Sequence, residues 1–441
     1  MKIKKICLLC MAGIFLHFAA CGQANVPEEK TMSQTQAHIT DEQTTTYNSS
    51  YKAVAQACDW GPACIKAIIK LGEQVGADDL CGFRVTETNT TGTVGEREVT
   101  GVYICDENGR KMEGSAAYIA VEMSADPSHG GLLFYDSSCF YNVWDENYRL
   151  DIEPINPENE VLKNLTVDPK YTERLLPQAD VFVKAEFQYQ DTVMKYALYT
   201  PPSENRKKPL IIWLHGQGEG GDDVTITLFG NKVTALASDE IQGILGGAYV
   251  LVPQCPTYWP VKAADTSYFG MQPDGTSDWE APLKELINEV IASNSGIDTN
   301  RIYIGGCSMG GYMTMLMVKN HPEFFAAAFP VCEFYEDRLL NDDDIKALAD
   351  VPMWFTYCTA DDTVSPKYYS QATISRLEKA GAKNLHRSVF SDVHDTTGMY
   401  LTEHETPHIY NSHWVWVYVF NNECFEGELR LWEWLALQSR P

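Results

Sequence analysis

The stretch Ile302-Tyr303-Ile304-Gly305-Gly306-Cys307-Ser308-Met309-Gly310-Gly311 decides the reading of this chain. It runs as an apolar strand, a G-x-S-x-G, and a helix over Tyr312 to Lys319. That order is the context of a nucleophile elbow, in which a serine is lifted onto a tight strand-to-helix turn. Side chains two residues either side of the serine would collide there, and Gly306 and Gly310 remove them. The helix that follows aims its first N–H groups at the site, where they stabilise a developing negative charge. Ser308 is the candidate nucleophile.

Around the elbow, strand and helix patterns alternate from about residue 175 to 441. Such alternation argues for an α/β fold with a mostly parallel sheet. Val181 to Gln188 and Val193 to Thr200 read as an opening hairpin. Strands follow at Leu210 to Leu214, Tyr249 to Val252, Arg301 to Gly305, Ala326 to Val331, Met353 to Tyr357 and Leu385 to Phe390. Helices are expected at Leu283 to Ser293, Pro366 to Ala380 and Glu428 to Gln438.

A serine hydroxyl needs a histidine base, and the base needs a carboxylate to hold its tautomer. With the chain order Ser, acid, His, the acid belongs after the strand at Met353. There Asp361, three residues before Val364, is the better candidate and Asp362 the alternative. Two histidines compete as base. His394 follows the last strand by a few residues. His413 stands in Ser412-His413-Trp414-Val415-Trp416, ahead of the closing Trp432-Glu433-Trp434-Leu435, and choosing it makes 392–411 an insertion. The two oxyanion donors are expected to be the backbone N–H of Met309 and, from the loop His215-Gly216-Gln217-Gly218, that of Gln217. Tyr258-Trp259-Pro260 either walls an acyl pocket or forms a packed loop. No cofactor or metal is expected. His404-Glu405-Thr406-Pro407-His408 is a literal H-E-x-x-H, but that zinc motif works only on a helix, and Pro407 breaks one. Asp342-Asp343-Asp344 reads as a helix start.

The amino-terminal part differs. Lys2, Lys4 and Lys5 precede an apolar run from Ile6 to Phe18 and then Phe18-Ala19-Ala20-Cys21, which reads as an export signal over residues 1–20. Residues 21–50 are polar, with almost no large apolar side chains, and read as a tether. Residues 51–170 show short alternating runs separated by turn signals, the pattern of an antiparallel β-sandwich. Trp60 and Trp144 read there as core. The formal charge of −26 argues against nucleic acid or an anionic membrane surface as partner. Of 13 cysteines, ten follow Cys21, most of them read as small buried hydrophobes, though Cys58 and Cys64 are close enough in sequence to pair.

Several of these motifs carry a resemblance. The Phe18-Ala19-Ala20-Cys21 ending resembles a bacterial lipobox, which implies cleavage before Cys21, lipid attachment to it, and a chain anchored to the membrane outside the cytoplasm. The elbow, the H-G-x-G-x-x-G loop of residues 215–221, the D-x-x-V-P-like turn at Asp361 and the G-H-x-S-W-like motif at His413 resemble the esterase branch of the α/β-hydrolases, close to prolyl-oligopeptidase-like peptidases and feruloyl esterases. Trp60-Gly61-Pro62 and Val99-Thr100-Gly101-Val102-Tyr103 resemble the immunoglobulin-like domain that precedes some of them. The resemblance implies an α/β-hydrolase fold behind a small sandwich, and a Ser308, Asp361, His413 triad acting on a small-molecule or glycan-linked ester. A peptide substrate is the second possibility, and a non-catalytic surface binding protein the third.

Overall fold

The computed structural model describes residues 46–441 apart from 93, 203–205, 262–273 and 403. The export signal, Cys21 and nearly all of the tether lie outside the described residues.

The carboxyl-terminal half is built on one eight-stranded sheet. Its strands in chain order are β1 (Phe182–Tyr189), β2 (Thr192–Tyr199), β3 (Lys208–Leu214), β4 (Tyr249–Gln254), β5 (Ile297–Cys307), β6 (Ala327–Val331), β7 (Met353–Cys358) and β8 (Leu385–Phe390). They lie side by side as β1-β2-β4-β3-β5-β6-β7-β8. β2 runs antiparallel to both of its neighbours, β1 and β4, and from β4 across to β8 every pairing is parallel. This is the α/β-hydrolase sheet, and it puts β5, which ends at Cys307, near the middle. A parallel sheet covered on both faces needs strands apolar on both sides. Every residue of β3 is accordingly buried. Ile211 and Trp213 enter the apolar cluster on one face, and Leu210, Ile212 and Leu214 the cluster on the other.

The amino-terminal half is β-rich. Strands Glu173–Leu175, Tyr51–Cys58, Gly61–Gly76, Ser115–Met123 and Val99–Cys105 form a five-stranded sheet, faced by Arg149–Ile155, Gly82–Thr88 and Val94–Arg97. A separate hairpin pairs Leu133–Asp136 with Tyr141–Trp144. Inside this sandwich the Arg97 guanidinium meets Glu87 at 2.9 Å with both side chains buried. The sheets divide between Leu175 and Phe182, because Glu173–Leu175 pairs in parallel with the strand Tyr51–Cys58.

The core does not stop at that division. One apolar cluster contains Ile69, Val85 and Trp144 from the sandwich together with Trp213, Phe229 and Phe329 from the carboxyl-terminal half. Trp144 is thus core, as its sequence context suggests, and its Nε1 also donates across the junction to Asp223 at 2.9 Å. Asp59, at the turn after Tyr51–Cys58, receives Lys232 Nζ at 2.9 Å and Asn421 Nδ2 at 3.0 Å.

Some boundaries shift from the sequence expectation. The elbow helix starts at Met309, directly after the serine. The closing helix covers only Leu431–Ala436, because residues 425–430 turn back as a two-residue hairpin. Cys58 and Cys64 are free: the hairpin register sets Cys58 opposite Gly61 and Cys64 opposite Ala55, which keeps the two thiols apart. His404-Glu405-Thr406-Pro407-His408 lies where Leu401 bridges Pro407 in a tight hairpin, so its histidines do not share a helical face. Asp342–Leu348 is a helix that Asn341 caps, with Asp344 closing a capping box.

Candidate active site

Ser308 sits between β5 and the helix Met309–Asn320 with φ 55° and ψ −115°. A non-glycine residue there is strained by about 1–3 kcal/mol and holds only if its surroundings enforce it. Two glycines let them. A Cβ on Gly310 would lie 2.0 Å from the Leu214 carbonyl oxygen, and one on Gly306 would lie 2.5 Å from the same atom. The end of β3 therefore runs flush against the elbow. Ser308 N–H donates to Val331 at 3.0 Å and Phe334 N–H donates to Ser308 at 3.1 Å, which ties the turn to β6.

Asp361 follows β7 and is 5 % exposed. Its Oδ1 accepts the backbone N–H groups of Thr363 and Val364, both at 2.9 Å. Its Oδ2 meets His413 Nδ1 at 2.7 Å, with the His413 ring almost fully buried. A ring that donates through Nδ1 leaves Nε2 as its acceptor. Asp362, the alternative acid, is exposed. His394 occupies another place: its Nδ1 meets Asp392 at 2.6 Å and the Tyr418 hydroxyl at 3.1 Å. Ser308, His413 and Gln217 line one cavity of about 550 Å³, and His394 is not among its lining residues. No hydrogen bond closes between the Ser308 hydroxyl and the His413 ring.

The loop after β3 forms the second side of that cavity. His215 is buried beneath it; Cys255 N–H donates to its Nε2 at 2.9 Å, and its Nδ1 meets the Gly216 carbonyl at 2.6 Å. Burial pushes the His215 ring down to about 4, so it is a neutral strut and not a second base. Gln217 opens a single 3₁₀ turn, Gln217–Glu219. Tyr258 and Trp259 are buried away from the cavity, with Trp259 Nε1 donating to the His215 carbonyl at 3.0 Å. They form the packed loop, and the pocket wall is built elsewhere.

That wall is what the sequence does not disclose. Asp59, Trp60, Leu133, Phe134, Tyr135 and Asn142, all from the amino-terminal sandwich, line the same cavity. Trp60 is half-buried and meets Tyr400 edge-on at 4.6 Å. No local pattern marks these residues, because their partners lie scores of positions away along the chain. Trp414 and Trp416 complete an aromatic lining. Among the described residues no group of three or more His, Cys, Asp or Glu is placed to hold a metal.

Comparison with known proteins agrees with this architecture. Residues 50–161 match the family described as the esterase immunoglobulin-like N-terminal domain, and residues 188–406 match that of a putative esterase. The chain belongs to the esterases that carry an immunoglobulin-like N-terminal domain. The second match includes Ser308 and Asp361 and ends before His413. A crystal structure of a thermostable esterase superposes with a TM-score of 0.69 at 23 % identity, covering 89 % of this chain and all of the other. Feruloyl esterase B of Thermothelomyces thermophilus is 25 % identical over 145 residues, 32 % of this chain and 45 % of that protein. The chain thus matches less than half the length of that relative.

Proposed function

We propose that this esterase is a serine carboxylic-ester hydrolase working through a covalent acyl-enzyme. The observation that carries the reading is the 2.7 Å contact of buried His413 with buried Asp361, His413 lining the same cavity as the strained Ser308. Asp361 fixes the ring with its proton on Nδ1, which turns Nε2 into the base for the Ser308 hydroxyl. Ser308 Oγ attacks the ester carbonyl, and the alkoxide that forms is held by the N–H groups of Gln217 and Met309. His413 returns the proton to the leaving alcohol, and water, activated the same way, releases the acid. Catalytic hydrogen bonds of a free enzyme are often long and tighten on substrate, and the Ser308 to His413 bond is expected to close in that way.

The substrate we favour is an acyl or feruloyl ester, with the alcohol carried on a glycan. The aromatic lining from Trp60, Phe134, Tyr135, Trp414 and Trp416 supports it, as does the likeness to a feruloyl esterase. We propose also that the chain acts outside the cytoplasm, held by a lipid on Cys21; incorporation of labelled fatty acid, lost in Cys21→Ala, tests this. For the activity, the test is hydrolysis of methyl ferulate and p-nitrophenyl acetate by the native chain and by Ser308→Ala. The native chain should turn over both esters and the variant neither. A variant that kept full activity would sink the reading.

A further inference from the structure

The oxyanion loop has a weakness that its own sequence does not cure. Gly216, Gly218, Gly220 and Gly221 fall within six residues, and glycine brings maximal backbone freedom. A donor that must wait at a fixed point needs that freedom removed by something outside the loop. The carboxyl of Glu219, 4 % exposed, is where the outside contacts converge. Its Oε1 accepts Asn142 Nδ2 at 2.7 Å and its Oε2 accepts Asn231 Nδ2 at 3.3 Å. Its main-chain carbonyl accepts Thr227 Oγ1 at 3.1 Å and Gln254 Nε2 at 3.0 Å. A Cβ on Gly216 would come within 3.1 Å of Oε2, so the loop backbone wraps the carboxyl at contact distance.

Asn142 comes from the other half of the molecule. It stands on the sandwich hairpin Leu133–Asp136 and Tyr141–Trp144. The same hairpin supplies the Tyr135 hydroxyl, which accepts Gln217 Nε2 at 3.0 Å. It lies directly on the loop: a Cβ on Gly218 would sit 2.6 Å from Asn142 Nδ2, and one on Gly220 would sit 2.9 Å from the Tyr141 ring. Tyr141 stacks on Tyr258 at 5.0 Å, and Tyr258 donates to the Cys139 carbonyl at 2.8 Å, so the hairpin is itself fixed to the catalytic half.

We propose that Asn142 and Glu219 are positioning residues, through which the sandwich hairpin holds the oxyanion loop with the Gln217 N–H aimed into the cavity. The proposal rests on the serine-esterase reading. Neither side chain touches the reacting atoms. Their effect passes through the loop backbone, so it belongs to the transition state and not to ground-state binding. A bond that only joined the two halves would register in melting temperature and leave turnover alone.

The experiment measures kcat, KM and melting temperature with p-nitrophenyl acetate for the full chain and for Asn142→Ala, Glu219→Gln and Tyr135→Phe, with Ser308→Ala as the blank. Losing an oxyanion donor outright costs about 100-fold to 1000-fold in kcat, so a donor left loose should cost about tenfold. Asn142→Ala and Glu219→Gln should each lose about that factor in kcat with KM nearly unchanged. Tyr135→Phe, altered at a half-exposed position that folding tolerates, should lose a smaller factor in the same direction. A folded Asn142→Ala with native kcat overturns the proposal. If Asn142→Ala and Glu219→Gln do not fold, a native kcat in Tyr135→Phe overturns it. A native chain inert towards the ester overturns the underlying reading, and the proposal with it.

Discussion

At the scale of single residues, the site is a set of close approaches that tolerate no added atom. Gly310→Ala would drive a methyl to 2.0 Å from the Leu214 carbonyl oxygen. Over-packing of this kind costs about 1–3 kcal/mol or more, and here it should also displace Ser308; a fall in melting temperature together with lost turnover checks both. Glu219 makes a second prediction. Burial, the largest cause, pushes its carboxyl up to about 7 from an ordinary 4.5, with hydrogen bonds from Asn142 and Asn231 opposing. The titratable group facing it is Cys307, whose thiol burial raises well above its ordinary value. In this window the folded state keeps a proton that the unfolded chain has released. Stability from this group is therefore complete below about pH 4.5 and is lost as pH rises through about 7, by about 3 kcal/mol for a shift of this size. The stability of the native chain relative to Glu219→Gln, followed by urea unfolding from pH 4.5 to 8, should fall by that order. A flat difference would contradict it. His215 works oppositely, since its ring is pushed down to about 4 and resists protonation as the pH falls.

At the scale of elements, what was local could be read and what was distant could not. The elbow announces itself because strand, glycines, serine and helix are contiguous, and β5 with Met309–Asn320 realises them. Spacing along the chain leaves His413 and His394 both open as base, and it is the motif around His413 that favours it in the sequence. Both follow β8, and only three-dimensional placement shows that His413 reaches Asp361 while His394 reaches Asp392. Between them runs the hairpin that Asp395 braces, its carboxylate accepting Thr397 Oγ1 at 2.6 Å and Tyr400 N–H at 3.2 Å. Tyr400 in turn backs the cavity residue Trp60. Asp395→Ala would leave those donors without their acceptor, at about 1–3 kcal/mol. It should lower the melting temperature and raise KM for aryl esters more than it lowers kcat. An unchanged KM would show that the hairpin does not shape the cavity.

At the scale of the whole molecule, the two halves behave as one body. The sequence separates a sandwich pattern from an α/β pattern because periodicity reports on each element's own faces. It cannot report that Asp59 meets Lys232 and Asn421, or that Trp144 and Trp213 share a cluster. That shared core predicts a single cooperative transition in calorimetry, with equal calorimetric and van't Hoff enthalpies; two separated transitions would contradict it. The shared wall likewise means that the esterase site belongs to neither half alone. The most direct measurement of the Ser308 and His413 pairing is labelling with a fluorophosphonate probe, mapped by peptide mass analysis, on the native chain and on His413→Ala and His394→Ala. One residue, Ser308, should be modified, with labelling lost in His413→Ala and retained in His394→Ala. Labelling that survives in His413→Ala and disappears in His394→Ala, or that never falls on Ser308, would contradict it.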